Sequence, residues 1–85
     1  MKEIWILGVH ITDRLTEVSA FQAILTKFGC IIKTRLGLHE VRDDFCARSG
    51  MVILELTGSR DEFYKLENEL LKIDGLEVKK MVFTE

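Results

Sequence analysis

Four residues with metal-ligand side chains lie close together near the middle of the chain, at His39, Asp43, Asp44 and Cys46. Imidazole, carboxylate and thiolate groups all bind zinc, nickel or cobalt, so His39 and Cys46 are candidate metal ligands. The same residues also suit a strand end followed by a solvated turn, with Cys46 packed as a small hydrophobic side chain. We favour this structural interpretation, and we expect His10 to bond to solvent or backbone.

An Arg-Leu-Gly step precedes this group, with Arg35 and Gly37 at its ends. Arginine can pair with a carboxylate through two parallel hydrogen bonds, and glycine in a strand admits the close approach of a ligand or another backbone. Arg35, Gly37 and His39 are therefore candidate ligand-binding residues. The competing interpretation, which we favour, is an ordinary cross-strand pair between Arg35 and Glu55.

The sequence does not contain a recognisable catalytic motif. Nucleophilic catalysis needs a base within reach of the nucleophile and a third group that orients the base. No Ser/His/Asp or Cys/His signature of that kind is present, and the glycines are scattered at element ends instead of forming a phosphate-binding loop. We therefore expect no catalytic residues and no enzymatic activity.

The composition is that of a small globular protein. The 85 residues are 47% hydrophobic and 31% charged, with a formal net charge of −2. We expect one domain spanning residues 1–85. No basic cluster suited to nucleic acid is present. The lack of a leader or a membrane-length apolar run predicts a cytoplasmic protein without membrane contact, in which Cys30 and Cys46 are thiols.

The element pattern of the first half recurs in the second half. The helical spacing of Val18, Phe21, Leu25 and Phe28 returns 45 residues later, and so does the apolar pattern of the preceding strand. The sequence predicts strands near 2–12, 30–41, 51–57 and 76–83, with a loop over 42–50. Helices follow the first and third strands, and Ser59 with Glu62 forms a capping-box signature for the second helix.

This βαββαβ order predicts a ferredoxin-like plait of the α+β class. With right-handed crossovers, the first and third strands are central and both helices lie on one face of a four-stranded antiparallel sheet. Apolar residues of the central strands then lie on the uncovered face, which predicts a homodimer or homotetramer formed through that face. In the second strand, alternation predicts that Ile32, Leu36 and Leu38 face inward. The uncovered set comprises Ile4, Ile6, Met51 and Ile53.

Over nearly its whole length the chain resembles the iron-only hydrogenase system regulators. That family is similar in turn to ACT-type domains and to the ligand-binding domain of the nickel-responsive repressor. The resemblance is carried by the apolar strand 4–9, the step 35–37 followed by Val41-Arg42-Asp43, the strand 51–56 and the ending 73–79. It implies an ACT-like regulatory domain.

The repressor resemblance also implies a nickel site, held by three histidines and one cysteine across a subunit interface. His39 and Cys46 match one histidine and the cysteine, with a gap one residue longer than the family pattern. Gly37 stands where another strand histidine is expected. A divalent transition metal such as nickel or zinc is the candidate cofactor. Any transcriptional role would need a separate DNA-binding partner, because the resemblance covers only the ligand-binding domain.

These observations lead to one functional hypothesis with two alternatives. We expect a non-enzymatic, oligomeric regulatory domain that binds a small ligand or a metal ion near a subunit interface and acts in regulating the iron-only hydrogenase system. The first alternative is a structural protein–protein interaction module whose sheet face docks onto a larger partner. The second is a small enzyme built on the same plait, since fold alone does not fix function.

Overall fold

The structure is a computed structural model that describes the backbone of residues 2–11, 14–41 and 46–85, and the side chains of 2–11, 19–37 and 50–85. In chain order the elements are β1 (Glu3–Ile11), α1 (Arg14–Lys27), a short 3₁₀ turn (Gly29–Ile31), β2 (Ile32–Val41), β3 (Cys46–Leu56), α2 (Arg60–Leu71) and β4 (Leu76–Thr84). No helix in this described part of the chain is long and apolar enough to cross a membrane.

The four strands form one antiparallel sheet in the order β2-β3-β1-β4. The central strands are therefore β1 and β3, as predicted, and the edges are β2 and β4. Together with the two helices this arrangement confirms the ferredoxin-like βαββαβ fold.

The hydrophobic core lies between the helices and one face of the sheet. Alternate residues of the central strands are buried because successive side chains of a strand point to opposite faces. The central strands contribute these buried residues to the core: Trp5, Leu7, Val9 and Ile11 of β1, and Val52, Leu54 and Leu56 of β3. The helices contribute Phe21 and Leu25 of α1, and Phe63, Leu66 and Leu70 of α2. The predicted division of the central strands into a covered and an uncovered face is confirmed.

Helix α2 begins at the predicted capping residue. The Ser59 hydroxyl oxygen accepts a hydrogen bond from the Glu62 backbone N–H at 3.3 Å, and the Ser59 hydroxyl lies 3.2 Å from Glu62 Oε1. The preceding Gly58 has φ +129°, a backbone conformation that residues with a Cβ rarely adopt. The turn between β3 and α2 is thus set by a glycine followed by a capping serine.

The prediction for the start of β3 is wrong. The strand begins at Cys46, five residues before the expected Met51, and pairs with β2 up to Val41 opposite Cys46. Polar residues such as Arg48 and Ser49 had indicated a loop, but they extend a two-stranded hairpin past the end of β1. This hairpin arm helps to explain the elongated shape, with extents of 48 × 22 × 18 Å.

The predicted inward position of Leu36 is also wrong, because β2 contains a register shift. Ile32 is opposite Leu56 on the covered face, but after an irregularity Thr34 is opposite Glu55. From there Leu36 is opposite Ile53, so it lies on the uncovered face and is 51% exposed. After a bulge of this kind, side chains that alternation would place on one face of the sheet lie on the other face. A strict alternation pattern in the sequence does not predict this change.

Candidate functional site

Strand β2 places Arg35 and Gly37 on the same side of the sheet. Arg35 is opposite Leu54 and Gly37 is opposite Val52, and both partners are core residues on the covered side. Even so, both β2 residues are exposed, and a Cβ on Gly37 would meet no atom within 4 Å. The outer strand is therefore open at this point, on the side where the helices cover the rest of the sheet.

The predicted pair between Arg35 and Glu55 does not form. Glu55 accepts a hydrogen bond from Thr34 Oγ1 at 2.9 Å, and its other oxygen lies 3.8 Å from Lys33 Nζ. Within the described residues Arg35 has no hydrogen bond or ion pair. The bulge separates the two side chains by placing them on opposite faces of the sheet.

The two candidate metal ligands lie in the hairpin arm. His39 of β2 is opposite Gly50 of β3, and Cys46 of β3 is opposite Val41 of β2. Their backbones are thus close along neighbouring strands, but their side chains lie outside the described residues. Asp43 and Asp44 lie outside the described residues altogether. The metal site on His39 and Cys46, and the role of His39 in ligand binding, stay predictions.

The described side chains form no group of three or more His, Cys, Asp or Glu that could hold a metal ion. His10 lies on the uncovered face, where its Nδ1 is 3.7 Å from Glu77 Oε1. Cys30 is a free, exposed thiol.

The uncovered face of the sheet carries apolar side chains on all four strands. Leu36 of β2, Met81 and Phe83 of β4 are 51%, 54% and 51% exposed, and Met51 of β3 is 37% exposed. Between them lie the half-buried Ile4, Ile6 and Ile53 of the central strands. We call these seven residues the apolar sheet face. The sequence predicted the members of this face that lie on the two central strands. The positions of Leu36 and Met81 on this face are evident only from the strand register in the structure.

A shallow cavity of about 440 Å³ lies where α2 begins. Two of its lining residues bond to each other, since Arg60 donates to both carboxylate oxygens of Glu3 at 3.1 and 2.9 Å. The Trp5 indole N–H also donates to Glu3, at 3.0 Å. These hydrogen bonds, that from Trp5 first, hold the pKa of Glu3 below the usual range of a glutamate. The ion pair between Glu3 and Arg60 connects β1 to α2, and both oxygens of the Glu3 carboxylate accept hydrogen bonds.

No protein-family model and no curated protein matches the chain. The solved structure of the uncharacterized protein TM1266 from Thermotoga maritima is similar, with a TM-score of 0.82 and 25% identity over 99% of this chain and 100% of that one. CPII, a nitrogen regulatory PII-like protein from Thiomonas intermedia K12 bound to ADP, AMP and bicarbonate, has a TM-score of 0.56 and 12% identity over 98% and 94% of the two chains.

A third structure, the cofactor-independent oxygenase SnoaB from Streptomyces nogalater, has a TM-score of 0.56 and 11% identity over 100% of this chain and 94% of that one. CPII and SnoaB share the fold alone with this chain. None of the three is named as an iron-only hydrogenase system regulator.

Proposed function

We propose that the chain is a non-enzymatic regulatory domain that self-associates through the apolar sheet face and binds a small anionic ligand beside Arg35. The observation that carries this proposal is the apolar sheet face itself. Four large side chains on three strands are exposed together on a surface that the helices leave uncovered. Isolated exposed apolar residues are normal on proteins, whereas a contiguous patch marks an interaction surface.

The ligand chemistry is inferred from Arg35 and Gly37. A guanidinium without a partner among the described residues favours a carboxylate, phosphate or similar anion, which it can hold through two parallel hydrogen bonds. The open position at Gly37 leaves space for the ligand next to the backbone. CPII, which has the same fold, is bound to ADP, AMP and bicarbonate, all of them anionic.

Coupling between ligand and assembly would give the domain its output. A ligand that binds the assembled state more tightly than the monomer stabilises the assembly by mass action. The resemblance of the sequence to iron-only hydrogenase system regulators supports a regulatory role in that system, in the cytoplasm. A metal ion on His39 and Cys46 is the second ligand class to test.

The proposal is tested by thermal unfolding of the metal-stripped protein with and without each of three probes: bicarbonate, an adenine nucleotide and nickel or zinc. An anion bound beside Arg35 raises the midpoint in the natural chain and not in Arg35→Gln. Lys33→Gln is the matched control, because Lys33 is an exposed cation on the same strand that is placed near Glu55.

A metal effect is assigned with His39→Ala and Cys46→Ala, and the exposed Cys30 and the half-buried His10 supply the controls Cys30→Ala and His10→Ala. If Arg35→Gln responds to the anion as the natural chain does, the anion site beside Arg35 is refuted. If no probe shifts the midpoint while the chain still self-associates, the ligand-binding role is refuted and the chain is an interaction module.

A further inference from the structure

Three members of the apolar sheet face form an oblique row across the sheet. Phe83 of β4 is opposite Ile4 of β1, and Ile6 is two residues further along β1. Ile6 is opposite Glu55 of β3, and Ile53 is again two residues further along. Residues directly opposite in antiparallel strands lie on the same face. Phe83, Ile6 and Ile53 thus make a continuous line, which we call the apolar diagonal.

Opposite charges lie on the two sides of this diagonal. On one side is Glu55, which accepts a hydrogen bond from Thr34 and lies 3.8 Å from the exposed Lys33 ammonium at the β2 edge. On the other side is Lys79 of β4, which is opposite Gly8 of β1. The Lys79 side chain is 81% exposed, and its Nζ lies 3.9 Å from Glu77 Oε2. Each chain therefore carries a carboxylate and an ammonium on the uncovered face, separated by an apolar line.

Gly8 leaves a gap next to Lys79 on the same face. A Cβ at this position would meet no atom within 4 Å, so packing within the chain does not require glycine here. Glycine in the middle of a central strand is costly compared with a β-branched residue, since it has no side chain to pack. Glycine at such a position often marks the close approach of another group.

We propose that two copies of this chain pack face to face about a two-fold axis that runs along the apolar diagonal. This rotation places the apolar diagonal of one copy against the apolar diagonal of the other. Residues on one side of the diagonal in the first copy then face residues on the opposite side of the diagonal in the second copy. Glu55 of each copy then lies over the gap at Gly8 in the other copy and next to its Lys79. The surface is self-complementary in shape and in charge, as a two-fold interface must be.

The geometry also fixes how the two sheets cross. With normal strand spacing and rise the diagonal runs about 35° from the strand direction. The strands of the two sheets therefore cross at roughly 70°, nearer to the orthogonal class of sheet packing than to the aligned class. This inference rests on the proposed self-association and is independent of any ligand.

The test is a charge-reversal pair measured by sedimentation velocity. Glu55→Lys places like charges against Lys79 of the second copy, and Lys79→Glu places like charges against Glu55. Each variant alone should have a dissociation constant at least about tenfold higher than the natural chain, because juxtaposed like charges at an interface are unfavourable. In an equimolar mixture the two variants should form a heterodimer close to the natural affinity, because both contacts are again between opposite charges.

Gly8→Ala provides a second readout if a reversal variant fails to fold. The added methyl meets nothing within the chain, so it should weaken the dimer while the unfolding midpoint of the monomer is kept. Lys72→Glu, a charge reversal just after α2 on the covered side, is the control and should dimerise normally. A chain that stays monomeric refutes the self-association. The diagonal geometry is refuted, and self-association is not, if neither charge-reversal variant weakens the dimer. The same conclusion follows if the mixture of the two variants associates no more tightly than each variant by itself.

Discussion

At the scale of single residues, Trp5 makes the most varied contacts in the described structure. Its ring is buried and lies 5.4 Å from the Phe63 ring and 5.0 Å from the Tyr64 ring, the latter edge to face. The Lys80 ammonium lies 4.3 Å from the Trp5 ring centre, a cation–π distance, and also contacts the Tyr64 ring at 5.1 Å and Glu67 at 3.1 Å. One side chain thus connects β1, β4 and α2.

The Glu3 carboxylate gives a prediction at this scale. Its pKa is lowered first by the Trp5 hydrogen bond and next by Arg60, which acts through both its hydrogen bonds and its charge, so Arg60→Gln should raise the pKa of Glu3 toward its ordinary value. The lowered pKa contributes stability above the ordinary glutamate value of about 4.3. That contribution is lost as the pH falls through the lowered pKa. Carbon-detected NMR titration of Glu3 in the natural chain and in Arg60→Gln measures this change, and an unchanged pKa of Glu3 in the variant would contradict the prediction.

The sequence predicts some residue contacts and not others. The Ser59 cap follows from local spacing, because capping bonds join residues three positions apart. The separation of Arg35 from Glu55 does not follow, since it depends on a bulge between Ile32 and Thr34 that moves Arg35 to the covered face. The metal candidates His39 and Cys46 stay predictions, with side chains outside the described residues.

At the scale of elements, the turn from β3 into α2 depends on Gly58. Its φ is +129°, and a Cβ there would lie 3.3 Å from Ile31 Cγ2. Gly58→Ala should therefore lower the free energy of unfolding by about 1–3 kcal/mol, the usual cost of a strained backbone position. Urea unfolding followed by the fluorescence of Trp5, the single tryptophan, measures this change.

Gly29→Ala is the matched control for that prediction. Gly29 begins the 3₁₀ turn without a positive φ, and a Cβ there would meet nothing within 4 Å. We expect an unfolding free energy within about 0.5 kcal/mol of the natural chain, as for most surface substitutions. If Gly58→Ala and Gly29→Ala lowered the free energy of unfolding equally, the positive φ of Gly58 would not be the cause of the destabilisation.

The order of the elements could be predicted because each has a strong periodic signal. Apolar residues at helical spacing and a continuous apolar first strand indicate βαββαβ, and right-handed crossovers then fix the strand order. A hairpin of the second and third strands could be predicted, but the start of β3 at Cys46 could not, since Arg48, Ser49 and Gly50 are typical of a turn. They nevertheless lie within β3, which begins at Cys46 and pairs with β2 on both sides of an irregularity.

At the scale of the whole molecule, the covered and uncovered faces of the sheet differ in how far their apolar side chains are buried. The covered face stabilises the fold through the helices, with Leu7, Leu54, Leu66 and Leu70 fully buried. The uncovered face leaves Leu36, Met81 and Phe83 half exposed. A small domain buries only a modest share of its surface by itself, so we expect the proposed association through the second face to add to its stability.

Self-association through the apolar sheet face is the central claim, and sedimentation velocity over a concentration series tests it most directly. The natural chain should sediment as a dimer or larger at high concentration, and Met81→Glu should sediment as a folded monomer. Leu71→Glu is the matched control, because Leu71 is 57% exposed on α2 while Met81 is 54% exposed on β4. An assembly that Met81→Glu leaves intact, or a natural chain that is monomeric throughout, would contradict the account.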